Sequence, residues 1–181
     1  MRLTTLGLAA AALVAACSNE DGDLEARVDE LVSQMTLDEK VEQMAGNTFL
    51  SASYGRELWN VPGVERLGVP PFRVSDGPRG VGVHAGATAF PVGIARAASW
   101  NPALERRVGE AMGRELRAIG GNVLLAPTMN NLRHPSWGRS QETYGEDVHL
   151  LGRMGVAFIE GLQGYVLANP KHYAANSIED T

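Results

Sequence analysis

Four side chains in this sequence could together hold a polyhydroxylated molecule: Asp76, Arg139, Lys171 and His172. A carboxylate accepts hydrogen bonds from vicinal hydroxyls, while guanidinium, ammonium and imidazole groups donate them. Hydrogen bonds to charged groups contribute about 1.5–3 kcal/mol each, so a few could hold one ring and reject its isomers. Each group also has a plainer reading. Asp76 lies in Ser75-Asp76-Gly77-Pro78, a turn-forming string in which Asp commonly bonds its own backbone. Arg139 and a secondary candidate, Arg133, flank Pro135, Trp137 and Gly138; either could be solvated, or Arg133 could pair with Glu142, Glu146 or Asp147 and staple the loop. Trp137 could simply pack, or could bury the stem of Arg139 and leave its guanidinium facing a ligand. Lys171 and His172 could be a surface lysine and a satisfied, partly buried histidine.

Other chemistries fit less well. His84, His134, His149 and His172 show neither His-x-x-x-His spacing nor a nearby cysteine pair, so no metal is expected. No Gly-x-Ser-x-Gly elbow supports a serine triad, and the glycines after Asp76 form no phosphate loop. No cofactor is expected. The formal charge of −5, without a basic run, argues against nucleic acid as a partner.

The elements that must bring the four together are strands. Pro71–Val74 runs into Asp76, Asn122–Ala126 precedes the Arg133–Arg139 loop, and Tyr165–Ala168 precedes Lys171-His172. Helical stretches lie between them. Asn101 and Pro102 start one with apolar Leu104, Val108, Met112, Leu116 and Ile119 as its buried face, stopped by Gly120-Gly121. Asp147 caps another, with Leu151, Met154, Phe158 and Leu162 inward and Gly164 at its end. Two helices precede the strands. The first carries Leu24, Val28, Leu31, Val32 and Met35 on one stripe. The second opens on a Thr36-x-x-Glu39 capping box and closes at Gly46; 47–67 reads as irregular. Strand–helix alternation implies a parallel sheet with crossover helices. In a β/α barrel the site sits at the carboxyl ends of the strands, so the three clusters should converge.

The fold class expected is therefore α/β, the N-terminal part of a TIM-type (β/α)8 barrel with about three strands present. A barrel needs eight strands, and a sheet stopped at three leaves an edge unpaired, so the chain is expected to be a fragment of a longer protein. The first residues read as a targeting segment. Arg2 precedes an apolar run, Leu6 to Ala16, too short to span a bilayer, which ends in Leu13-Val14-Ala15-Ala16-Cys17-Ser18. That string resembles a bacterial lipobox, with Cys17 lipidated after cleavage; ordinary secretory cleavage after Ala15 or Ala16 is the alternative. The expected division is a signal peptide over 1–16, a tether over 17–23 and a partial barrel domain over 24–181. Acyl chains on Cys17 would hold the protein on a membrane, in the periplasm or at the outer membrane.

The chain resembles the N-terminal part of glycoside hydrolase family 3, the β-glucosidase and β-xylosidase group. The resemblance rests on Met35-Thr36-Leu37-Asp38-Glu39-Lys40, Ser75-Asp76-Gly77-Pro78-Arg79-Gly80, Phe90-Pro91 and Ala126-Pro127-Thr128. It continues through Arg133-x-Pro135-x-Trp137-Gly138-Arg139, Glu142-x-Tyr144-Gly145-Glu146-Asp147 and Lys171-His172-Tyr173-Ala174-Ala175-Asn176. It implies retaining hydrolysis of terminal β-glucosyl or related residues, with Asp76, Arg139, Lys171 and His172 as substrate-binding groups. It places the nucleophilic aspartate and the acid/base glutamate beyond Thr181, so none of the carboxylates here is expected to be catalytic. Some relatives carry an arginine shortly after the first-motif aspartate, where this chain has Val81-Gly82-Val83. The Lys-His motif also lacks the Phe-Pro-Gly-His-Gly loop of the peptidoglycan-recycling branch, which argues against a β-N-acetylglucosaminidase. Two other readings stand beside it: a non-catalytic glycan-binding lipoprotein on the same barrel, and an unrelated α/β binding protein with turn-rich loops.

Overall fold

A computed structural model describes residues 22–45, 58–82 and 86–179. Within them the elements are α1 (22–34), α2 (Leu37–Ala45), β1 (Trp59–Val61), β2 (Phe72–Asp76), α3 (Gly93–Ala97), α4 (Pro102–Ala118), β3 (Val123–Leu125), α5 (Val148–Leu162) and β4 (Leu167–Ala168). Short 3-10 turns occupy Glu65–Leu67 and Ser140–Glu142.

The fold is α/β, built on one open sheet ordered β1-β2-β3-β4. β2, β3 and β4 are parallel, with Val74 beside Val123 and Leu124 beside Ala168. Helices α4 and α5 make the crossovers, the alternation of a β/α barrel. β1 was not expected. It pairs antiparallel with β2, Trp59 beside Val74 and Val61 beside Phe72, in a stretch that reads as irregular because three residues are too few to show a period. Strand bounds also shift. β2 extends to Asp76, so that residue ends a strand rather than starting a loop, and β4 is shorter than Tyr165–Ala168.

The helix starts follow their caps. The Glu39 amide donates to Thr36 Oγ1 at 3.2 Å while the Thr36 amide donates to Glu39 Oε2 at 2.8 Å, a reciprocal capping box. Arg66 Nε donates to Glu39 Oε1 at 2.8 Å and holds that carboxyl down to about 2. Asn101 Oδ1 accepts from the Leu104 amide at 3.0 Å, and Asp147 Oδ1 from the Leu150 amide at 2.7 Å. Past α4 the chain takes φ 84° at Gly120, a turn glycine makes without steric cost. The expected stop at Gly46 lies outside the described residues, as do His84 and Cys17.

The core lies between the sheet and α4 and α5. Met112, Leu116, Leu124, Phe158 and Leu162 have no solvent exposure. The buried face of α4 differs from the apolar count: Leu104 is 40% exposed, whereas Glu105, Gly109 and Gly113 are buried. The cause is close helix approach. A Cβ at Gly109 would lie 2.3 Å from the Phe158 carbonyl oxygen, and one at Gly161 2.1 Å from that of Arg106. Glycine there lets backbone meet backbone. Gly161→Ala should force α4 and α5 apart and lower stability by about 1–3 kcal/mol, read as a reduced denaturant midpoint; an unchanged midpoint would show that the helices separate freely. The apolar stripes of α1 and α2 are open to solvent, with Val28, Val32, Leu37, Val41 and Met44 all exposed.

Candidate functional site

Parallel strands end on the same side of the sheet, and the segments after β2, β3 and β4 meet there. Asp76, the last residue of β2, has its Oδ1 2.7 Å from Lys171 Nζ. Lys171 is placed by its backbone: its amide donates to the Pro127 carbonyl at 2.9 Å and its carbonyl accepts from the Met129 amide at 2.6 Å. These bonds continue the β3–β4 pairing beyond the strands, with Thr128 bridged to Lys171. The next residue is fixed through Asn130, whose Oδ1 lies 2.8 Å from both the backbone nitrogen and Nδ1 of His172. An amide oxygen only accepts, so with that amide orientation Nδ1 carries the proton and Nε2 is left as an acceptor on the neutral ring. Burial, aided by the Arg139 and Lys171 cations, lowers the His172 pKa below its ordinary value near 6.5. The imidazole is therefore neutral at pH 7. Its folded value lies below its unfolded one, so its contribution to stability is present above pH 6.5 and is lost as pH falls through the window beneath.

Arg139 is held on one edge. Its Nε donates to Glu142 Oε1 at 3.0 Å and its Nη2 to Glu142 Oε2 at 2.8 Å, a forked pair that raises the arginine's pKa. Thr128 Oγ1, itself buried, donates to Glu142 Oε2 at 3.3 Å, and Glu179 Oε1 stands 3.6 Å from Arg139 Nη1. Asp76 and Glu142 also face a cleft of about 460 Å³, shared with Gly82, Phe90 and Gln141. Of the Val81-Gly82-Val83 stretch where some relatives are expected to have arginine, Val81 is buried and Gly82 exposed on the cleft wall, and Val83 lies outside the described residues.

Asp76, Arg139, Lys171 and His172 are thus linked through one set of contacts at the strand ends. Arg133 is not part of it: it is exposed and makes no ion pair with a described residue. Glu142, suggested by sequence as a staple for Arg133, pairs with Arg139 because the 3-10 turn Ser140–Glu142 folds it back onto the nearer arginine. Trp137 is core, 1% exposed, and the arginines that lie over rings among the described residues are Arg96 and Arg114. Glu142, Asn130 and Thr128 are absent from the candidates read from sequence. Among the described residues no group of His, Cys, Asp and Glu side chains could hold a metal ion.

Behind the site lies a buried ionic network. Arg96 Nε lies 3.1 and 2.9 Å from the two Glu105 carboxylate oxygens, and Tyr144 Oη donates to Glu105 Oε1 at 2.6 Å. Arg96 Nη1 donates to the Pro78 carbonyl at 3.1 Å and also to that of Pro91. Burial, with the Glu105 charge, pushes the Tyr144 phenol far above its usual range. Pro78 follows Asp76 by two residues and Tyr144 follows Glu142 by two, so the buried Arg96–Glu105 pair ties the segments that carry Asp76 and Glu142 to α4.

Residues 32–180 match the glycosyl hydrolase family 3 N terminal domain. The chain belongs to glycosyl hydrolase family 3. Beta-glucosidase B of Emericella nidulans is 40% identical over 160 residues, covering 85% of this chain and 18% of the relative. A beta-xylosidase of Formosa agariphila is 34% identical over 170 residues, covering 86% of this chain and 22% of its own length. Beta-glucosidase 3B from Thermotoga neapolitana, solved in complex with glucose, superposes with a TM-score of 0.76 at 39% identity, covering 84% of this chain and 24% of that one. The family 3 chain described here thus spans about a fifth of the length of the curated relatives it matches. Its open sheet is part of the TIM-type barrel, and all four site residues fall within the family 3 span.

Proposed function

We propose that this chain is the sugar-binding N-terminal part of a β-glucosidase-type exo-hydrolase. The observation that carries the reading is the convergence of Asp76, Arg139, Lys171 and His172 at the ends of parallel strands within a family 3 domain. One unfettered acceptor edge on Asp76, the outer edge of Arg139, the remaining Lys171 protons and His172 Nε2 are suited to the hydroxyls of a terminal glucosyl or xylosyl ring. The reaction proposed is retaining hydrolysis. An aspartate attacks the anomeric carbon and a glutamate serves as acid and then base, the two carboxyls about 5–5.5 Å apart. Both are assigned to sequence beyond Thr181. Contacts to the terminal ring assist the reaction to the extent that they tighten at the transition state.

The test compares the 181-residue chain with the polypeptide read from the coding sequence that continues past Thr181. Aryl β-D-glucosides and β-D-xylosides should be turned over by the longer polypeptide and not by the chain alone. Turnover by the purified chain would place the nucleophile within it and sink the assignment. A continuation lacking either carboxylate would favour the non-catalytic glycan-binding reading.

We also propose export and lipid anchoring at Cys17, on the strength of Leu13-Val14-Ala15-Ala16-Cys17 after an apolar run. Labelled palmitate should enter the wild-type protein in cells and not Cys17→Ser; equal labelling of both would overturn this.

A further inference from the structure

We propose that Glu142 is a specificity-determining residue that makes the site refuse anionic sugars. This rests on the sugar-binding reading above and adds a substrate class to it. An arginine in a ligand site is by nature an anion receptor, because its planar fork matches carboxylate and phosphate oxygens. Here the Nε–Nη2 edge of Arg139 is already occupied by Glu142 at 3.0 and 2.8 Å, and Glu179 stands 3.6 Å from Nη1. The other cation, Lys171, is paired with Asp76 at 2.7 Å. Three carboxylates thus face two cations, and His172 adds no charge at neutral pH.

Glu142 is not free to swing aside for an incoming anion. Buried Thr128 holds its Oε2 at 3.3 Å. Its backbone is pressed against Gly93, where a Cβ would lie 2.2 Å from the Glu142 carbonyl oxygen. A uronate or sugar phosphate would therefore enter beside fixed negative charge, while a neutral hydroxyl meets no such repulsion. Arg79 on the cleft wall is exposed, where solvent and salt screen its charge.

The test is titration of D-glucose and D-glucuronate into the full polypeptide that carries this chain, as wild type, Glu142→Gln and Glu142→Asp. Wild type should prefer glucose by about tenfold or more, the effect of one unbalanced charge at close range. Glu142→Gln, nearly the same shape without the charge, should move the ratio toward glucuronate by about tenfold. Glu142→Asp should keep the preference. A wild-type ratio near one, or a ratio unmoved by Glu142→Gln, overturns the proposal while leaving sugar binding intact. Binding of neither sugar by folded wild type overturns the sugar-binding reading and this inference with it. Should Glu142→Gln fail to fold, salt decides: the wild-type preference must shrink as ionic strength rises, and a salt-independent ratio overturns it.

Discussion

Glu105→Ala is expected to cost the fold about 3–5 kcal/mol, the range seen when one partner of a buried ion pair is removed. Arg96 is 6% exposed and Glu105 1%, so the arginine left behind could not reach water without opening the core. The same substitution leaves the Tyr144 hydroxyl, 2.6 Å from Glu105 Oε1, without its acceptor, and a buried unpaired hydroxyl is itself unfavourable. Glu105→Gln keeps the shape and one acceptor and should cost less, which separates the charge from the packing. Equilibrium unfolding in urea measures both. A loss below about 1 kcal/mol for Glu105→Ala would mean that the network is wet or dispensable. Because Arg96 also holds the Pro78 carbonyl at 3.1 Å, the loop behind Asp76 should loosen in the same variant.

This network shows where the sequence is opaque. Glu105 sits on a helix among Arg106, Arg107 and Glu110, where a charged residue reads as solvated surface. Its burial is decided by Arg96, nine residues earlier in a short helix without an apolar stripe, and by Tyr144 far ahead in the chain. Neither relation has a period. The glycines of the α4–α5 contact are silent for a related reason: an apolar count gives weight to side chains, and close approach depends on their absence.

The site was more legible because its geometry follows from topology. Once Asp76, Arg139 and Lys171 are assigned to segments after parallel strands, the sheet itself brings them together, without any knowledge of side-chain packing. The caps Thr36, Asn101 and Asp147 were legible because capping is local. What the strand ends do not reveal is which cation each carboxylate takes. Glu142 is three residues from Arg139 and nine from Arg133, and only the 3-10 turn between them settles the choice.

Asp76→Ala should weaken glucose binding by about 10- to 150-fold, the equivalent of one charge-assisted hydrogen bond of roughly 1.5–3 kcal/mol. Two effects act in the same direction. The ligand loses an acceptor for its hydroxyls, and Lys171, whose side chain is 12% exposed, loses the counter-ion 2.7 Å from its Nζ. An ammonium without its partner is drawn toward solvent or neighbouring carboxylates and no longer points where the ring is held. Asp76→Asn retains one acceptor and should fall between wild type and alanine. The titration has meaning only on folded protein, so circular dichroism and a cooperative unfolding transition must accompany it. Wild-type affinity in a folded Asp76→Ala variant would remove Asp76 from the site. Lys171→Met supplies the reciprocal test. If the two side chains hold the sugar as one unit, the double variant should lose little more than either single one; full additivity would mean that each residue meets the ligand independently of the other.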